Sequence, residues 1–288
     1  MEVDGTTDRA LPDQDTEFRS FDGLRLAGTL TFPSSASSSA TVLVHGGGVT
    51  RDEGGFFTRL AAGLSEAGIA SLRFDLRGHG QSDGRQQDLT LASVANDILA
   101  AIAHLIDRLG SASPVNLVGT SFAGGISAYV AARHPAEIRK LVLFNPLINY
   151  KKRFIDDKPY WHNDRIDNAA GQELSTNGYL PHSPTFVLGR PLLNEIFHLR
   201  PDEAISEITT PTLVVHGTKD TFIPVESSRE CVQRIQAEAR LVEVEGAQHG
   251  FAVHEDPQYL NPQTKMWQAF VISTVSKWLA EPVSQSGI

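Results

Sequence analysis

Pro114-Val115-Asn116-Leu117-Val118-Gly119-Thr120-Ser121-Phe122-Ala123-Gly124-Gly125 is the stretch on which the reading of the chain turns. A short apolar run leads into a turn of small residues carrying one serine, and the helical-looking Ile126–His134 follows at once. This is a strand, a tight turn and a helix. In the G-x-S-x-G arrangement such a turn forces the serine into a strained conformation, exposes its hydroxyl above the sheet and aims the next backbone N–H at a developing oxyanion. Small residues are needed two before and two after the serine, where strand and helix approach closely. Gly119 meets the first requirement; Ala123 departs from the second, with Gly124 and Gly125 behind it. A plain Gly/Ser-rich connector has the same local look, so the decision rests on the rest of the chain.

Two other glycine-loop chemistries are excluded. A phosphate-binding loop needs Lys-Ser/Thr after its last glycine, and Gly124 is followed by Gly125-Ile126. In Gly46-Gly47-Gly48-Val49-Thr50-Arg51, Arg51 stands where a dinucleotide loop needs its last glycine. A chain of 288 residues, 41% hydrophobic, suits one large α/β core or a core with an insertion. Its net charge of -9 gives no electrostatic footprint for nucleic acid or an anionic membrane. The single cysteine, Cys231, rules out an internal disulfide and favours a reducing compartment. Met1–Asp15 is polar and acidic where a signal peptide is basic and then apolar. No apolar stretch approaches the roughly 20 residues that span a bilayer. The expectation is a cytoplasmic protein.

Residues 1–16 have no periodicity and read as a flexible N-terminal arm. Phe18–Phe21, Asp22-Gly23 and Leu24–Phe32 read as an antiparallel hairpin around an Asp-Gly turn. Apolar runs at Thr41–Val44, Ile69–Phe74, Lys140–Phe144, Thr212–Gly217 and Arg240–Val244 read as strands. Helical periodicity marks Phe56–Ala67, Leu91–Leu109, Glu226–Glu238 and Thr264–Leu279. Continuous apolar strands alternating with helices predict an α/β fold whose mostly parallel central sheet is covered on both faces. The expected core is 17–144 and 208–282. Residues 145–207 break the alternation and predict an inserted lid.

A serine hydroxyl needs an adjacent base, and the base needs an acid to hold its tautomer. Groups that meet in a parallel sheet sit on loops at the carboxyl ends of different strands. Ser121 follows one such strand, Asp220 follows Thr212–Gly217, and His249 follows Arg240–Val244, giving the chain order Ser, Asp, His. On these residues, with His45-Gly46-Gly47-Gly48, Arg77-Gly78-His79-Gly80 and His249-Gly250-Phe251, the chain from Glu17 to Leu279 resembles a serine-dependent α/β-hydrolase. Leu24–Phe32, the Arg-Gly-His-Gly turn and a lid before the Asp loop are similar to the carboxylesterase branch that includes cinnamoyl and feruloyl esterases. The resemblance implies Ser121 as nucleophile, His249 as base, Asp220 as orienting acid, and the amides of Phe122 and Gly47 as oxyanion hole, with Gly48 as the alternative to Gly47.

It further implies hydrolysis of a small-molecule ester through an acyl-enzyme, with no metal or organic cofactor. A thioester hydrolase or acyltransferase on the same triad, and a non-catalytic ligand-binding relative, stay open. So does the oligomeric state, a homodimer being one option. Phe154, Tyr160 and Trp161 are expected to contact the substrate. Lys151-Lys152-Arg153 reads either as a solvated lid face or as a greeting for an anionic substrate or carrier.

Overall fold

The computed structural model describes residues 13–110, 113–254, 256 and 258–283. An antiparallel hairpin of β1 (Gln14–Arg19) and β2 (Arg25–Thr31) leads into β3 (Ser39–Val44), α1 (Phe56–Glu66), β4 (Ile69–Phe74), α2 (Leu91–Leu109), β5 (Val115–Thr120), α3 (Phe122–Arg133) and β6 (Ile138–Phe144). Two small hairpins follow, β7 (Trp161–His162) with β8 (Arg165–Ile166), then β9 (Tyr179–Ser183) with β10 (Phe186–Gly189). Helix α4 (Asn168–Asn177) stands between them, and α5 (Arg190–Glu195) and α6 (Pro201–Ala204) come after. The chain then closes with β11 (Thr212–Gly217), α7 (Glu226–Arg234), β12 (Ala239–Val244) and α8 (Pro262–Ala280).

The central sheet has eight strands in the order β1-β2-β4-β3-β5-β6-β11-β12. From β4 to β12 all neighbours are parallel, and β2 joins β4 antiparallel. Alternate residues serve opposite faces: Val42, Val44, Leu117, Leu141 and Leu143 pack with α2 and α3, while Leu43, Val118, Val142 and Phe144 pack with α1 and α8. Burial on both faces is why these strands read as unbroken apolar runs.

Register places the site. Val44 pairs with Gly119, Thr120 with Phe144, Phe144 with Val215, and Gly217 with Val244. The carboxyl ends of β3, β5, β11 and β12 therefore finish level, and the loops that leave them share one edge of the sheet.

Three details differ from the sequence reading. Strand β1 begins at Gln14, inside the expected arm, while residues 1–12 lie outside the described residues. Helix α3 begins directly at Phe122, four residues earlier than the apolar pattern suggests, because the glycines at 124 and 125 let it start against the following loop. Residues 145–207 add no strand to the central sheet, yet they are built from hairpins and short helices. Glu195 of α5 accepts hydrogen bonds from the Leu91 and Ala92 amides at the start of α2, where helix N–H groups lack partners.

Candidate active site

Ser121 occupies the turn between β5 and α3 with φ 49 and ψ -119, a left-handed conformation strained for any side chain. The turn is clamped from both ends: Ser121 N–H donates to Phe144 O at 2.9 Å, and its carbonyl accepts from Gly124 N and Leu147 N, each at 2.9 Å. Size does the rest. A Cβ on Gly119 would stand 2.3 Å from Ser127 Oγ, one on Gly124 would stand 2.5 Å from Pro146 Cβ, and one on Gly125 2.5 Å from Leu147 O. The tight positions are thus 119, 124 and 125, and the fully buried Ala123 methyl fits among the core side chains.

Asp220 and His249 arrive on the loops after β11 and β12. Ser121 Oγ lies 2.9 Å from His249 Nε2, and His249 Nδ1 lies 2.6 Å from Asp220 Oδ2. Asp220 Oδ1 accepts from the Phe222 and Ile223 amides at 2.8 and 2.9 Å. Burial opposes charge on the Asp220 carboxyl, but hydrogen bonds from His216 and His249 outweigh it and hold the group well below the usual carboxylate range. A charged acceptor at Nδ1 fixes the tautomer in which Nε2 is free to accept the serine proton. His216 is itself held by Ser228 Oγ at 2.7 Å and Ile223 O at 2.9 Å, so it braces the Asp220 loop.

The loop after β3 faces Ser121 from across the sheet edge. Gly46 N–H donates to Glu53 at 2.9 Å and Gly48 N–H donates to His79 Nε2 at 3.0 Å. Among the described residues neither the Gly47 nor the Phe122 N–H has a protein acceptor. Engagement of the Gly48 amide removes the alternative donor considered from sequence. Phe186 packs on this loop so closely that a Cβ on Gly47 would stand 2.9 Å from its ring.

His45 and His79 are backbone braces. His45 spans Gly46 O at 2.7 Å and Leu76 N at 2.9 Å, and burial pushes it down to about 3. His79 Nδ1 lies 3.0 Å from Arg77 O. Asp75 binds Arg51 and the Gln81 amide and makes no contact with His249. It therefore does not rival Asp220.

A cavity of about 200 Å³ opens over Ser121, lined by Gly47, Phe122, Phe154, His182, Phe186 and Phe222 among others. Phe154 is on this wall; Tyr160 and Trp161 are not. The expectation that all three contact substrate is corrected: the Tyr160 carbonyl takes the Asp167 N–H at 2.9 Å at the open end of the β7–β8 hairpin, and Trp161 packs on Phe197 at 5.9 Å, off the cavity wall. Sequence reasoning missed Glu53, His182, Phe186 and Phe222. Phe222, two residues past Asp220 and 58% exposed, was the one with a signal in the sequence: its nearness to the expected orienting acid. Among the described residues no group of three or more His, Cys, Asp or Glu side chains clusters as a metal site requires. No helix among them is long and apolar enough to cross a membrane.

A sheet of this order, with a strained serine hydrogen-bonded to a histidine that in turn binds an aspartate, both on later strand ends, defines a class of protein. The chain belongs to the α/β hydrolase fold family. The model of that fold matches residues 41–179, and the Dienelactone hydrolase family model matches 196–279. Lipase LipV of Mycobacterium tuberculosis is 36% identical over 210 residues, covering 70% of this chain and 76% of that protein. Monoacylglycerol lipase of Mycolicibacterium smegmatis is 25% identical over 286 residues, covering 91% and 95%. The solved structure of Est1E from Butyrivibrio proteoclasticus with ferulic acid bound superposes with a TM-score of 0.72 at 22% identity, over 91% of this chain and 99% of that one.

Proposed function

We propose that the chain is a serine hydrolase that cleaves a small-molecule carboxylic ester through an acyl-enzyme, with residues 17–144 and 208–282 as catalytic core and 145–207 as its lid. Relatives named as lipases support ester hydrolysis, and the fold shared with Est1E, whose solved structure holds ferulic acid, supports the carboxylesterase branch. The observation that carries the reading is the unbroken hydrogen-bonded line from Ser121 through His249 to Asp220.

In the proposed cycle Ser121 Oγ attacks the ester carbonyl carbon while His249 Nε2 takes the hydroxyl proton. The carbonyl oxygen becomes an oxyanion and accepts the Gly47 and Phe122 N–H groups, which have no competing acceptor among the described residues. Collapse breaks the ester C–O bond, and His249 hands its proton to the departing alcohol. Water then attacks the acyl-serine, gives a proton to His249, and the carboxylic acid leaves as that proton returns to Ser121. Asp220 stays ionised throughout, stabilising the imidazolium. The single cysteine is buried, in keeping with a cytoplasmic setting.

Hydrolysis of p-nitrophenyl esters together with fluorophosphonate labelling tests the proposal. Both should be present in the parent protein and lost in Ser121→Ala. An unlabelled parent, or a fully active Ser121→Ala, would overturn it.

A further inference from the structure

The three consecutive cations Lys151, Lys152 and Arg153 have different fates. They lie at the start of a single wide helical turn, Lys152–Asp156, so successive side chains splay around its axis. Lys151 pairs with Asp156 at 2.8 Å and Asp164 at 2.7 Å, and Lys152 pairs with Asp157. Arg153 is part-buried, and no carboxylate among the described residues lies within ion-pair reach of it. It lines the cavity over Ser121.

That cavity holds no carboxylate on its wall, although the chain carries 34 acidic residues against 25 Lys and Arg. Its titratable lining is Arg153, His182 and His249. Lys158 stands behind, 3.4 Å from His182 Nδ1. Burial, then the charges of Lys158 and Arg153, push His182 down to about 4, so the ring stays neutral and Arg153 is the cation on that wall. Arg153 also lines a second cavity of about 330 Å³, which shares Leu147, Phe222 and Ile223 with the first. There Asp157, Asp202, Glu226 and Glu230 are on the wall with Lys152, Arg153 and Arg234, a net acidic lining that disfavours an anion. The unmatched positive charge therefore favours an anion on the Ser121 side.

Resting on the serine-hydrolase reading, we propose that Arg153 is a specificity-determining residue whose guanidinium receives a carboxylate carried by the substrate ester, so that the preferred substrates are anionic esters. The planar guanidinium offers paired N–H donors to a carboxylate, and a part-buried cation without a partner gains most from one.

The test compares matched esters. On the acyl arm, p-nitrophenyl hydrogen adipate is set against p-nitrophenyl hexanoate; on the alcohol arm, O-hexanoyl glycolate against ethyl hexanoate. In at least one pair Arg153→Gln should lower the anionic-to-neutral ratio of kcat/KM about tenfold or more, mainly through KM. Arg153→Lys should recover part of it, and Lys151→Gln should leave it unchanged. Added salt should lower the ratio in the parent and not in Arg153→Gln. Should the parent turn over none of these esters, protection of Ser121 from fluorophosphonate by adipate, lost in Arg153→Gln, reads the same contact. Normal labelling with both ratios within twofold of the parent, or without that protection, overturns the inference about Arg153. Absent labelling in the parent overturns the serine-hydrolase reading itself, and this inference with it.

Discussion

The turn at Ser121 and the segment from 145 to 207 meet at the same cavity, and they are held by different means. The turn is fixed by exclusion: the neighbours of Gly119, Gly124 and Gly125 leave no room for a Cβ, and the strained serine has nowhere else to go. The segment is seated by buried apolar side chains such as Leu180, Leu188 and Leu192, and fastened by a few polar staples. Gln86 binds Thr185 O and the Val187 amide, both at 3.1 Å, and Glu195 caps α2. Arg153, Phe154, His182 and Phe186 are among the side chains that the segment sets on the cavity wall, so their identity shapes it. We infer that the reaction is set by the turn and the choice of substrate by the segment.

The largest expected effect is at the turn and its partners. Ser121→Ala and His249→Ala should each lower kcat/KM by about 10⁴- to 10⁶-fold, and the double variant should be no worse than either. Asp220→Asn should cost on the order of 10⁴-fold by presenting the wrong tautomer of His249. Additive losses in the double variant would mean that the two groups do not act as one unit.

The two regions were also unequally legible. Ile69–Phe74 and Thr212–Gly217 match their apolar runs residue for residue, because a strand buried on both faces admits little else. Ser121, Asp220 and His249 followed from strand ends and chain order. In 145–207 a two-residue strand such as Trp161–His162 is too short to leave a period, so the hairpins were invisible. Nearness in sequence made Phe154, Tyr160 and Trp161 look like one aromatic wall, and the break between the helical turn Lys152–Asp156 and the β7–β8 hairpin separates them. Glu53 gave no signal at all, since its position depends on a loop in which it has φ 47.

One substitution made in both regions separates exclusion from simple strain. Gly119→Ala puts a methyl 2.3 Å from Ser127 Oγ and 2.6 Å from Ser127 Cβ, so backbone must move. It should destabilise by about 1–3 kcal/mol and, by displacing Ser121, lower activity on the order of 100-fold. Gly178→Ala, at the end of α4, meets open space and suffers only its φ of +82. It should cost about 1 kcal/mol with activity retained. Equal effects on activity, measured by kcat/KM beside urea midpoints, would erase the distinction.

Glu53 probes the support of the turn. Burial pushes its carboxyl up from the ordinary 4.5 to about 7, against the opposing pull of the Gly46 N–H and of His249. A carboxyl raised in the folded state contributes stability that is full below its unfolded value and lost as pH rises through the folded one. The parent should therefore lose stability relative to Glu53→Gln between about pH 4.5 and 8, by about 1–3 kcal/mol. The amide oxygen of Gln can still accept the Gly46 N–H, so the loop should hold. Urea midpoints at pH 5 and pH 8 check it, and a stability difference that does not change with pH would show that Glu53 does not titrate in this window.

The smallest effects lie within 145–207 and sharpen where its specificity resides. Phe154 is 1% exposed, sits edge-on to His182 at 5.0 Å and is on the wall of the Ser121 cavity. Trp161 is outside that cavity, and its indole Nε1 is buried with no hydrogen-bond partner. Phe154→Leu reshapes an apolar wall with little change in hydrophobicity, and should move the kcat/KM ratio of aromatic to short aliphatic esters about fivefold. Trp161→Phe keeps the ring against Phe197 and removes the unpaired donor, whose burial is costly. It should leave that ratio unmoved and change stability by less than about 1 kcal/mol, in the stabilising direction if at all. Paired ester kinetics and thermal melts on the two variants decide the matter. A ratio that moves with Trp161 and not with Phe154 would put the substrate beyond the cavity over Ser121, against the β7–β8 hairpin, and the division between a reacting turn and a selecting segment would need redrawing there.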